Sequence, residues 1–162
     1  MLLGKFITAA TVSSSSPRVG DRADHTVSFD AVVPLETSDQ LLVIYPKQTF
    51  PPLRTPKCWG SASLDPRRSK NRCYVVQNAV YIKQMKFLNN VKVLDVGAKL
   101  GLTIARSQNP KTGRLTSGYE VYIKDKDGYM KSQLAEDVEG MKLEMTKPAI
   151  ITNFKLAPTD RR

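Results

Sequence analysis

From His25 to Val33 apolar and polar residues alternate, with Val27, Phe29 and Ala31 on one face and Thr26, Ser28 and Asp30 on the other. A half-buried strand has this period of two. Leu41-Leu42-Val43-Ile44-Tyr45 is a continuous apolar run closed by Pro46, which predicts a strand buried on both faces. A five-residue helix beside a proline would not persist. Cys73–Val76 and Ala79–Ile82 read as a strand pair split by Gln77-Asn78, and Val91–Leu94 as another short strand. Leu100, Leu102 and Ile104 share one face of a further strand, and Tyr119–Ile123 forms the next. Val138 to Met145 alternates again, with Met141, Leu143 and Met145 inward.

Turn signals separate these runs. Ser13–Ser16 with Pro17 and Gly20 marks one turn, Asn109-Pro110-Lys111-Thr112-Gly113 another, and Asp125-Lys126-Asp127-Gly128 a hairpin tip. Residues 46–72 hold five prolines and read as a long loop, because proline cannot donate to a sheet ladder. The best helical window, Met130 to Glu136, spans one or two turns. The pattern predicts an all-β fold with little helix: one antiparallel, immunoglobulin-like β-sandwich of about seven to nine strands. The domain is expected over residues 6–148, with 149–162 a linker or the first strand of a following repeat.

Composition narrows the function classes. The 162 residues are 41% hydrophobic and 25% charged, an ordinary globular balance that excludes wholesale disorder. One His and two Cys exclude a His-rich metal site and a four-thiolate zinc cluster. No apolar run reaches the ~18 residues a bilayer-crossing helix requires. The opening Met1–Ile7 is too short for a signal-peptide core, so an exported parent is expected to carry its signal outside this sequence. The formal charge is +10. Arg54, Lys57, Arg67, Arg68, Lys70 and Arg72 crowd the proline-rich excursion against Asp65 alone, and Lys83, Lys86 and Lys92 follow. These six loop cations form a candidate docking surface for a neighbouring domain, a like subunit or an anionic polymer. Residues 18–40 lean the other way, with Asp21, Asp24, Asp30, Glu36 and Asp39, and are a possible carboxylate face for a neighbour. Nucleic acid is a weaker expectation, since there is no Gly-rich phosphate loop, recognition helix or paired aromatics on a basic strand.

The two ends echo each other. Lys5-Phe6-Ile7-Thr8-Ala9-Ala10-Thr11-Val12 aligns with Ala149-Ile150-Ile151-Thr152-Asn153-Phe154-Lys155-Leu156, as in one bead of a tandem array. The order of the segments also carries a pattern: Pro17-Arg18-Val19-Gly20, the strand Thr26-Val27-Ser28-Phe29, and Leu42-Val43-Ile44-Tyr45-Pro46. Cys58 and Cys73 follow, then Asn109-Pro110 with Thr116-Ser117-Gly118-Tyr119, and Asp125 to Tyr129. Over residues 6–157 this order resembles a domain repeated in tandem in large surface proteins of ciliates. The resemblance implies a non-catalytic structural or adhesive module, extracellular or at the cell surface, with no catalytic residues or cofactor. The chain departs from that family's Ser/Thr-rich, near-neutral composition in being Lys-rich and basic, and it holds no Asn-x-Ser/Thr sequon. The competing expectation is an independent basic β-protein of capsid-like or nucleic-acid-binding type, cytoplasmic or in a virion.

Cys58 and Cys73 flank fourteen residues. In an exported protein a bridge would staple the excursion, for which a chain-entropy estimate is ~3 kcal/mol; in a cytosolic one they are free thiols. The bridge is the expectation, with Trp59 packing on it as in immunoglobulin-like domains. His25 lacks any triad context and is expected on the polar, solvent side of its strand. No Gly-x-Ser-x-Gly elbow exists. Asp125-Lys126-Asp127-Gly128 imitates the opening of a calcium loop without its closing Glu, so turn chemistry is expected there.

Overall fold

The computed structural model describes residues 5–53 and 56–148, and these are folded as an all-β sandwich. Twelve strands follow in chain order: β1 (Lys5–Ile7), β2 (Ala10–Ser14), β3 (Arg22–Asp30), β4 (Leu35–Glu36), β5 (Gln40–Ile44), β6 (Cys58–Ala62), β7 (Tyr74–Val76), β8 (Ala79–Ile82), β9 (Val93–Leu94), β10 (Lys99–Gln108), β11 (Glu120–Lys124) and β12 (Met130–Leu134). Two single 3₁₀ turns are the helical content of the described residues. The strands exceed the expected seven to nine because short pieces at sheet margins, such as the β4–β9 pair, form ladders of two residues. The expected continuation at 149–162 lies outside the described residues.

One sheet runs β1-β12-β11-β5-β8-β7 and the other β2-β3-β10-β6. All pairings are antiparallel except β1 with β12, which runs parallel. The N-terminal run thus begins in the larger sheet and, after Thr8-Ala9, joins the smaller one through β2 and β3. Between the sheets, Val27 and Phe29 of β3 and Leu100, Leu102 and Ile104 of β10 belong to one buried cluster with Leu41, Val43, Val80, Ile82, Val121 and Ile123. Each fully buried Leu, Ile or Val side chain there is worth ~1.5–3 kcal/mol of transfer free energy.

Four local expectations are corrected. The excursion 46–72 is not loop throughout, since β6 lies inside it and pairs with β10. The β5 strand is buried on one face only, with Leu42 and Ile44 partly exposed on the other. Met130–Leu134 is the strand β12, because the Asp127-Gly128 turn (Gly128 φ 88°) returns the chain onto β11. Residues 138–145 form a 3₁₀ turn and irregular backbone instead of a strand, yet Met141, Leu143 and Met145 are buried as expected. Their backbone bonds run to Tyr119 and Thr116, so the alternation survives without a full ladder.

A β-bulge in β10 re-aims one side chain. Register against β3 shifts between Ile104 and Ser107, where Arg106 takes φ 61°. Without that extra residue Ser107 would face away from Leu102 and Ile104; with it, Ser107 is fully buried and its hydroxyl lies 2.5 Å from Tyr45 Oη.

Candidate functional site

The chain around Asp65 builds the cationic side of the molecule. Asp65 is buried and its carboxylate accepts from Arg67 three times: backbone N–H at 2.9 Å, Nε at 3.1 Å and Nη2 at 2.7 Å. The Arg67 side-chain hydrogen bonds hold the Asp65 carboxyl down to about 2. Asn71 Nδ2 donates to the carbonyls of Asp65 and Lys86, and Lys86 N–H donates back to Asn71 Oδ1 at 2.8 Å. The disulfide Cys58–Cys73 then ties the start of β6, an edge of the smaller sheet, to the residue before β7, an edge of the larger one. These ties give a prolyl excursion a defined shape.

Beside this frame two clefts adjoin. The larger, about 1040 Å³, lies among Phe50, Pro51, Pro52, Leu53, Pro56, the disulfide, Tyr74 and Tyr81. The smaller, about 620 Å³, shares Arg72, Tyr74 and Tyr81 with it and continues past Lys83 and Lys86 to Lys126. Among the described residues seven cations line the pair (Lys57, Arg68, Lys70, Arg72, Lys83, Lys86 and Lys126) and no Asp or Glu does. Two of the cations are held over aromatic rings. The Arg68 guanidinium stands 4.6 Å from the Trp59 ring centroid, and Lys83 Nζ lies 5.0 Å from that of Tyr74. Tyr74 and Tyr81 are register partners across β7 and β8, stacked with centroids 5.4 Å apart.

The structure separates the six expected docking residues. Lys57, Arg68, Lys70 and Arg72 line the clefts, whereas Arg67 is spent on Asp65 inside the loop. Arg54 lies outside the described residues. Lys83 and Lys86, in the segment after β8, and Lys126 in the β11–β12 turn complete the cationic lining. The tyrosine pair was legible: a two-residue hairpin loop at Gln77-Asn78 sets Tyr74 opposite Tyr81. It supplies the paired aromatics beside basic residues that the sequence reading had found missing. Trp59 alternates with Cys58 and so faces away from the bridge, under Arg68. The acidic stretch 18–40 is largely engaged internally: Asp30 pairs with Lys99 at 3.1 Å, buried Asp39 with Lys131 at 2.7 Å, and Asp21 accepts from Ser16 Oγ.

His25 corrects a second expectation. It is fully buried between the sheets, with Nε2 2.8 Å from Asn109 Oδ1 and Nδ1 2.8 Å from Tyr119 Oη. Burial lowers its pKa, partly opposed by the Asn109 hydrogen bond and the Asp24 charge. Asn109 Nδ2 donates to the carbonyls of Ser16 and Arg18, so this cluster fastens the turn after β2 to β3 and β10. Its polar groups are occupied with one another. At the hairpin tip, Asp125 Oδ1 accepts from the N–H groups of Asp127 and Tyr129, as turn chemistry requires. Among the described residues no three His, Cys, Asp or Glu side chains converge as a metal site would need, and no helix is long and apolar enough to cross a membrane.

No family model matches the chain, and no curated protein matches it. Solved structures similar to it include a non-cellulosomal cohesin from the hyperthermophilic archaeon Archaeoglobus fulgidus, at 13% identity and a TM-score of 0.39, covering 81% of this chain and 94% of that one. AvmM, which catalyzes macrocyclization in alchivemycin A biosynthesis, covers 74% of this chain and 72% of its own at 12% identity and a TM-score of 0.31. A family GH18 chitinase from Chromobacterium violaceum matches 92% of this chain with 21% of its own, at 9% identity and a TM-score of 0.37. At these scores the likenesses carry no argument about what this chain does.

Proposed function

We propose that this domain is a non-catalytic structural and adhesive module of a larger extracellular or cell-surface protein, working by rigid spacing and by contact through one sheet edge. The observation that carries the reading is the stapled excursion. A disulfide, the pairing of buried Asp65 with exposed Arg67, and the Asn71 clamp hold a proline-rich segment so that Lys57, Arg68, Lys70 and Arg72 stand at the surface without acidic partners among the described residues. The one histidine has both ring nitrogens engaged inside the sandwich. A disulfide persists in oxidising compartments, which supports export. The resemblance to tandem ciliate surface domains and the echo of residues 5–12 in 149–156 support a place within an array.

The experiment is surface labelling of intact source cells with an antibody to the domain, together with sequencing of the full parent transcript. Labelling without permeabilisation, and a transcript encoding further copies, are expected. Labelling only after permeabilisation, with a short reading frame ending near Arg162, would overturn the reading. One observation favours a second reading, an independent nucleic-acid-binding protein: the Tyr74–Tyr81 pair flanked by Lys83 and Arg72.

A further inference from the structure

We infer that the two adjoining clefts form one binding track for an anionic polysaccharide, a chain bearing sulfate or uronate groups. The inference rests on the adhesive reading above and names its ligand. Charge is the first argument. Among the described residues seven cations line the track, none of them in an ion pair, and no carboxylate lines it. In a folded protein such a set is unfavourable through mutual repulsion unless an anion relieves it. Arrangement is the second. The cations are strung along two connected clefts and do not converge on one point, which suits a chain with repeated charges better than a single small anion. Several weak contacts then add through the chain, since exposed pairs are worth only ~0–1 kcal/mol each.

Surface chemistry is the third argument. Phe50, Pro51, Pro52 and Leu53 give the larger cleft an apolar wall, and Tyr74 and Tyr81 lie where the clefts meet. A sugar ring presents C–H faces to such a wall and hydroxyl or anionic groups to its rim. Arg72 stands where the two clefts join, and its planar fork can pair bidentately with a sulfate or carboxylate. Arg68, held over Trp59, is positioned before any ligand arrives. A disulfide fits the exported location proposed above, where anionic polymers are chiefly glycans, and this favours polysaccharide over nucleic acid. A neighbouring copy's acidic stretch is disfavoured because Asp21, Asp30 and Asp39 are already bonded within their own domain.

The test measures binding of the oxidised protein to dextran sulfate and polygalacturonate, with neutral dextran, oligo-dT and polyglutamate alongside. Both anionic polysaccharides are expected to bind and neutral dextran not to. Binding should weaken steeply as salt rises from ~0.1 M to ~1 M, as the Debye length falls from ~10 to ~3 Å. The variant R72E/K83E should lose at least about tenfold in affinity. The charge-matched variant K92E/K111E, which changes exposed residues outside both clefts, should lose much less. Tyr74→Ala should weaken the polysaccharide even at high salt, where charge is screened. Thermal melting checks that each variant folds. Equal loss in both charge variants would reduce the track to diffuse charge and overturn the proposal. Tighter binding of oligo-dT or polyglutamate than of either polysaccharide would overturn the ligand class. The cell-labelling experiment is read separately, so failure here leaves the surface assignment standing.

Discussion

His25 Nε2 and Asn109 Oδ1 are 2.8 Å apart in the closed interior of the sandwich, and Asn109 spends both amide hydrogens on the carbonyls of Ser16 and Arg18. That leaves Oδ1 as acceptor, so His25 carries its proton on Nε2, and Nδ1 accepts from the Tyr119 hydroxyl. Burial favours the neutral ring, in which both nitrogens are then satisfied.

The first prediction follows from the sign of that arrangement. The folded-state pKa of His25 lies below its unfolded value, so the unfolded chain takes up a proton that the folded one refuses. Stability from this residue is present above about pH 6.5 and is lost as pH falls below it, at up to ~1.4 kcal/mol per pH unit. Since His25 is the chain's only histidine, urea midpoints measured from pH 7.5 to pH 5 isolate it. A steeper decline is expected in the wild type than in His25→Gln. Parallel curves would contradict a buried neutral imidazole.

The second prediction concerns the staple. Native protein treated with an alkylating reagent under non-reducing conditions should show no modified cysteine by mass spectrometry, because Cys58 and Cys73 are joined. The double variant C58S/C73S should lose ~3 kcal/mol of stability. It should also weaken polysaccharide binding, because the excursion carrying Lys57 and Arg68 is then released from β7. Two alkylated thiols in the native protein would remove the bridge.

A third prediction separates two glycines. A Cβ on Gly60 would stand 2.6 Å from the backbone oxygens of Leu64 and Asp65, and backbone cannot swing aside. Gly60→Ala should therefore cost ~1–3 kcal/mol, the range for overpacking. Gly118 has open space around its missing Cβ and no positive φ. Gly118→Ala should stay within ~0.5 kcal/mol of wild type, as surface changes usually do. Denaturant midpoints read both, and equal effects would mean the chain at 60–65 gives way.

Gly60 also explains why β6 was illegible. Alternation needs a side chain at each inward position, and here the inward place between Cys58 and Ala62 is filled by the neighbouring backbone. Gly60 therefore leaves no apolar side chain to mark the inward face of β6. His25 failed for the opposite reason. The period that buried Val27 and Phe29 buries position 25 as well, and residue type was allowed to override it. Ser107 was beyond reach, because a bulge changes parity without leaving a mark in composition. Where alternation was strong, as over residues 26–31, inward and outward faces came out as expected. The cationic side was visible as a cluster in the excursion, but its extent was not. Lys83, Lys86 and Lys126 join it only through the sheet register that brings β8 and the β11–β12 turn alongside.

The parallel pairing of β1 with β12 has a consequence for how the chain acquires its shape. Lys5 and Ile7 sit opposite Ser132 and Leu134, so the first of the twelve described strands is matched to the last of them. During synthesis β1 must wait until nearly the whole domain has emerged, while β2 and β3 can pair almost at once. Until then the buried face of Ile7 has no cover and the larger sheet ends at an open β12. In a chain of similar domains another copy's β1 could occupy that edge, so the slowest local step of folding is also the one most exposed to strand exchange between neighbours.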